Sequence, residues 1–169
     1  SLSAVMDEKV ASGALVDVGL TMGINAAGDA KVVKYLPGVK LSWDVPGFNF
    51  FSTLISAYID DSEGVAKGGA PIETNSWMFD VAFDYPFMIG SQKFNVKGHA
   101  EYIAERKDEF GNDVRAWFLA QPIIVWDMGH ALEMKENTLL LGMEWQYWHN
   151  KFGTDVSESV PQVHLEWTF

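Results

Sequence analysis

The 169-residue chain has no cysteine, no long apolar run and no surplus of positive charge, and each absence removes a class of protein. Without cysteine there is neither a disulfide scaffold nor a thiolate metal site. Uninterrupted apolar stretches, such as residues 122–126 and 139–141, fall far short of the ~20 residues that a membrane-spanning helix needs, so no helix is expected to cross a bilayer. Positive charge is scarce: 12 Lys and Arg stand against 23 Asp and Glu, a formal net charge of −11. Such a surface repels phosphate backbones, and no basic stripe reverses the sign locally, which excludes nucleic acid as an expected partner. The chain opens Ser-Leu-Ser with no basic or apolar leader segment, so a signal peptide is expected to have been removed or not included.

What is present is a fine mixture of greasy and polar residues. Hydrophobic residues make up 48% and aromatics 14%, yet mean hydropathy is close to zero. From 75 to 87, Trp77, Phe79, Val81, Phe83, Tyr85 and Phe87 alternate with Ser76, Met78, Asp80, Ala82, Asp84 and Pro86. That is period two, the signature of a strand with two unlike faces. The last ten residues repeat it, with Val163, Leu165, Trp167 and Phe169 opposing Gln162, His164, Glu166 and Thr168. Residues 94–104 set Phe94, Val96, Gly98, Ala100 and Tyr102 against Asn95, Lys97, His99 and Glu101. Weaker alternation over 14–25, 32–44, 49–60, 114–127 and 138–150 brings the total to eight strands of about ten to fourteen residues. A globular strand averages ~5–6 residues, whereas a tilted membrane strand takes ~9–11.

The connections alternate as well. Asp44-Val-Pro-Gly and Gly90-Ser-Gln are tight, whereas 60–74, 106–113 and 151–159 are longer and rich in acid and glycine; 129–137 is intermediate. An up-and-down barrel gathers tight turns at one end, periplasmic in bacterial outer membranes, and long loops at the other. Residues 1–6 read as the end of a descending strand and 7–13 as its turn, so the barrel is expected to begin before Ser1. The expected fold is all-β: one domain over 1–169, an antiparallel up-and-down transmembrane β-barrel with eight strands in this chain.

Alternation alone fits a soluble barrel or sandwich too, with the greasy face turned inward. Strand length favours the membrane form, as do Trp43, Phe87, Tyr102, Trp126, Tyr147 and Trp167 near the expected strand ends, where Trp and Tyr suit bilayer interfaces. The C-terminal Phe169 resembles the signal read by the outer-membrane assembly machinery.

Two stretches carry a more specific likeness: Leu36-Pro-Gly-Val-Lys-Leu-Ser-Trp-Asp-Val-Pro-Gly-Phe48 and Leu141-Gly-Met-Glu-Trp-Gln-Tyr-Trp-His-Asn-Lys-Phe-Gly153 with the closing strand. Both resemble the Tsx-type nucleoside-specific channel-forming family of Gram-negative outer membranes, over nearly the whole chain. The resemblance implies a twelve-stranded barrel of which this chain is the C-terminal two-thirds, a narrow lumen passing nucleosides by passive diffusion, and no cofactor. It also implies an outer-membrane location, with lipid bilayer and lipopolysaccharide as surroundings. No family binding residue is carried over, because the missing N-terminal strands would supply part of any lumen site.

Projecting the alternation places Lys40, Asp44, Asp80, Asp84, Lys97, His99, Glu101, Arg115, Gln121, Glu144, Gln146, His164 and Glu166 on the lumen face. Facing lipid at the midplane would cost ~2–4 kcal/mol for Lys or Arg and less for acids. Such groups can hydrogen-bond sugar hydroxyls while Trp117 or Trp148 stacks on a base, or they can form an ion-paired lining that holds the barrel folded. Asp80 and Asp84 lie ~13 Å apart along one strand, too far to share a proton as a catalytic pair. His99 with Glu101 and His164 with Glu166 have a spacing that suits a metal or acid–base site, but no serine partner is discernible, and neither catalysis nor metal is expected. Residues 106–109 read as a solvated loop, and Gly64 to Gly69 lacks the GK[ST] ending of a phosphate loop. The competing reading is a non-transporting barrel that anchors, or that docks phage or other cells through its acidic outer loops.

Overall fold

The computed structural model describes residues 15–168. Eight long strands form one antiparallel sheet: β1 (Leu15–Ala27), β2 (Val32–Trp43), β3 (Phe50–Asp60), β4 (Ser76–Ile89), β5 (Gln92–Ile103), β8 (Trp117–Asp127), β9 (Leu139–His149) and β10 (Glu158–Trp167). Each pairs with its sequence neighbour in the order β1-β2-β3-β4-β5-β8-β9-β10, an up-and-down meander. Two short strands, β6 (Arg106–Lys107) and β7 (Asp113–Val114), make a hairpin between β5 and β8. The sheet is not closed: among the described residues no ladder joins β1 to β10. The expected strand at 1–6, the turn at 7–13 and the terminal Phe169 lie outside the described residues.

All eight expected strands are present, with ends shifted by up to three residues. The largest shift is at β8, expected from 114: Asp113 and Val114 instead pair with Arg106 and Lys107, so β8 starts at Trp117. The two ends sort as expected with one exception. Turns 44–49, 90–91 and 128–138 share one end, the last holding the short helix α1 (Met128–Ala131) capped by Asp127. The loops 61–75, 104–116 and 150–157 share the other, but the connection from Ala27 to Val32 is also short there, closed by Lys31 N donating to the Gly28 carbonyl at 3.1 Å.

Register settles the faces. Asp80 stands opposite Glu101 and Leu54, Asp84 opposite Lys97 and Phe50, and His99 opposite Gln121, so the charged residues of successive strands line up on one side. On the other side no strand of the long sheet places an Asp, Glu, Lys or Arg. Burial is inverted relative to a water-soluble fold. Every buried residue of the long strands, from Lys34 on β2 to Trp148 on β9, stands on the charged side. The apolar side is open: Leu20 is 89% exposed, Val163 82% and Trp145 49%.

The sheet curls toward its charged side. In a flat sheet Lys97 on β5 and Glu166 on β10 would sit three strand spacings apart and four residues out of register, roughly 19 Å. Their side chains meet at 2.6 Å.

Candidate functional site

The concave face is layered from the long-loop end to the tight-turn end. At the long-loop end Lys34 Nζ contacts Asp60 Oδ2 at 2.9 Å and Glu73 Oε2 at 2.6 Å, while Arg106 donates to both oxygens of Glu73, Nε at 2.7 Å and Nη2 at 3.2 Å. The Tyr58 ring lies beneath both cations, 5.1 Å from the Arg106 guanidinium carbon and 5.5 Å from Lys34 Nζ, within cation–π range. These groups are buried, so each cation needs its acid: an unpaired charge in such surroundings costs several kcal/mol.

Below this knot runs an apolar row: Tyr58, Met78, Ile103, Trp117, Leu119 and Trp148 form one buried cluster. Trp117 and Trp148 pack on each other with ring centres 5.3 Å apart, and Phe152 from the 150–157 loop closes on both. These indoles, expected to stack on a solute base, have each other and Phe152 as neighbours.

The third layer joins seven of the expected lumen residues in one polar chain across five strands. Asp80 Oδ2 meets His99 Nδ1 at 2.9 Å, and His99 Nε2 meets the Gln121 amide oxygen at 2.7 Å. Gln121 Nε2 donates to Glu144 Oε1 at 3.0 Å, and His164 lies 3.9 Å from Glu144 and 3.5 Å from Glu166. Glu166 accepts from Lys97, which returns the chain to β5. Of the two sequence pairs, His99 and Glu101 do not bond each other, since His99 bonds across the strands to β4 and β8, whereas His164 and Glu166 do meet, at 3.5 Å. Glu101, opposite Asp80, and Gln146 and Lys40 share this face without joining the chain.

Near the tight turns Asp84 accepts from Asn49 Nδ2 and Asn95 Nδ2, both at 2.8 Å. Asp127, 1% exposed, accepts the backbone N–H of His130 and of Asn137, both at 2.9 Å, and so holds the 128–138 turn.

Two expected lumen residues stand off the wall. Asp44 lies in the turn after β2, exposed. Arg115 sits in the connection between β7 and β8, ion-paired with Asp155 of the 150–157 loop on the exposed rim. An early start for β8 would put Arg115 in the strand, and the β6–β7 hairpin takes it out. Arg106 is the converse correction: expected in a solvated loop, it is 7% exposed and clamped on Glu73. Lys34 and Asp60 follow from the same alternation and could have been named with the others. Glu73 had no signal, since nothing local aims a residue of a fifteen-residue loop inward.

Among the described residues no group of three or more His, Asp or Glu is arranged to hold a metal ion. No family model, no curated protein and no solved structure matches the chain.

Proposed function

We propose that the chain is the larger part of an outer-membrane β-barrel whose charged face lines a passage for small polar solutes, with nucleosides the favoured class through the Tsx-type resemblance alone. The observation that carries the reading is the inverted polarity of the sheet. A continuous apolar face with no charge, bearing Trp77, Tyr85, Tyr102, Trp145 and Tyr147 exposed, far exceeds the scattered apolar residues of a soluble surface. In water its exposure would cost ~25 cal/mol per Å2, whereas hydrocarbon removes that cost. The edges of β1 and β10, unpaired among the described residues, cannot face lipid in that state, because each unpaired backbone group there would cost several kcal/mol. On this reading further strands pair with them, four in the twelve-stranded form that the resemblance implies. The polar chain from Asp80 to Lys97 supplies acceptors and donors at the height where a sugar hydroxyl would pass. On this reading the barrel does no chemistry and uses no cofactor; lipopolysaccharide and lipid surround it.

A second reading, an anchor or surface-docking barrel, draws support from the packed long-loop end, where the Glu73 knot and the Trp117–Trp148–Phe152 cluster fill space beneath the loops. Single-channel recording of the full-length protein in a planar bilayer separates the two. A conducting protein whose openings are partly blocked by added nucleoside supports the channel; a folded, silent barrel leaves the anchor.

A further inference from the structure

The segment between β3 and β4 does not loop away from the sheet. Its first half lies along the β1–β2 turn: Asp61 N donates to the Val33 carbonyl at 2.9 Å, Ala70 N to that of Ala30 at 2.8 Å, and Lys31 Nζ donates to the Lys67 carbonyl at 2.6 Å. Its second half lies along the β6–β7 hairpin: Thr74 N donates to the Lys107 carbonyl at 2.7 Å, and Glu73 bridges to Asp108. The hairpin reaches back, its Glu109 carboxylate accepting from Val65 N at 2.9 Å. Glu73 is the point where the two halves are tied: its carboxylate holds Lys34, an inward residue of β2, and Arg106, just past β5. In a flat sheet β2 and β5 are ~14 Å apart. A carboxylate that reaches both lies inside the curl, not above the rim.

We infer that residues 61–75 form a strap across the long-loop mouth, pinned by Glu73 to Lys34 and Arg106, that sets the size of solute admitted to the concave face. The inference rests on the passage reading above, but its geometry concerns access and can be read without conduction. The strap is held from both sides, so it restricts the mouth as a fixed bar. The pin is ionic and buried: removing Glu73 strands Arg106 without an acid, and the crossing loses its anchor.

These 169 residues hold no cysteine, and with any cysteine elsewhere in the full-length protein replaced by serine a single introduced thiol makes a clean access assay. Gln146→Cys on the inward face of β9 is introduced alone, with Glu73→Ala, and with residues 65–71 replaced by a short Gly-Ser link. Each is reconstituted full-length in vesicles and treated from the long-loop side with a small and a bulky membrane-impermeant thiol reagent. Heat-modifiable gel migration checks folding, and the linker variant, which keeps Glu73, stands in if Glu73→Ala does not fold. With the strap intact, the introduced thiol should react with the small reagent and resist the bulky one. A weakened strap should speed the bulky reaction by roughly tenfold or more, the ratio that ~1.4 kcal/mol of lost restraint gives. Equal bulky-reagent rates with and without the strap overturn the inference, as does a thiol that stays sealed to both reagents after the strap is shortened. If labelling changes as expected but no variant conducts, the channel reading falls and the strap stands.

Discussion

Lys97 Nζ on β5 lies 2.6 Å from Glu166 Oε2 on β10, although β8 and β9 run between them. The pair is a gauge of curvature more than a source of stability. Both side chains are partly exposed, 24% and 42%, so solvent screens them and the pair is worth no more than about 1 kcal/mol. Cysteines introduced at positions 97 and 166, joined by a thiol crosslinker shorter than ~10 Å, should couple within one folded chain, because a flat sheet would hold these positions roughly 19 Å apart. Failure to couple would mean that the sheet does not curl as described.

Two glycines let neighbouring strands approach. A Cβ on Gly142 of β9 would fall 1.9 Å from the Ile124 carbonyl oxygen of β8, and one on Gly98 of β5 would fall 2.2 Å from that of Gln121. Backbone cannot give way as a flexible side chain would. Gly142→Ala should cost about 1–3 kcal/mol in denaturant unfolding from lipid vesicles. Gly19→Ala on β1, with nothing within 4 Å of the new methyl, is the control and should be near neutral. Equal effects at the two positions would contradict the β8–β9 spacing.

The tip of the β6–β7 hairpin carries a pH dependence. The Asp108 carboxylate accepts from the Asn112 side chain at 2.8 Å and from the Phe110 and Asn112 backbone N–H groups at 2.9 and 2.8 Å, which hold it below the usual carboxylate range. A lowered pKa in the folded state means that the tip's order is fully present above the ordinary value of 3.8 and is lost as pH falls through the lowered one. Amide exchange at Phe110 and Asn112, corrected for its intrinsic pH dependence, should therefore stay level from neutral pH to about 5 and gain relative speed only in stronger acid. Loss of protection already at pH of about 6 would show that Asp108 does not hold the tip.

How far the sequence was readable depended on range. Period two put Trp77 to Phe87 on one side and Asp80 and Asp84 on the other, and the register agrees strand after strand, because the alternation is local and a one-residue slip would invert every face. The polar chain was half legible: alternation names its seven members, but the pairing of His99 with Asp80 and Gln121 is set by register across strands, which alternation leaves free. Arg106, Glu73 and Arg115 were misplaced or missed because a loop's course follows from distant partners. The β6–β7 hairpin, only two residues on each side, buries Arg106 and moves Arg115 to the rim.

On the proposed reading the uncharged face of the sheet meets lipid and the charged face meets water. A nitroxide scan along β9 from Leu139 to His149, in the full-length protein reconstituted in bilayers, tests it residue by residue. Leaving out Gly142, where a side chain would strike the β8 backbone, Leu141, Met143, Trp145 and Tyr147 should favour collision with oxygen dissolved in the hydrocarbon, while Glu144 and Gln146 favour a water-soluble nickel chelate or are shielded from both. A period of two with the phases reversed, or odd positions open to the nickel chelate, would contradict the account and return the chain to the soluble barrels.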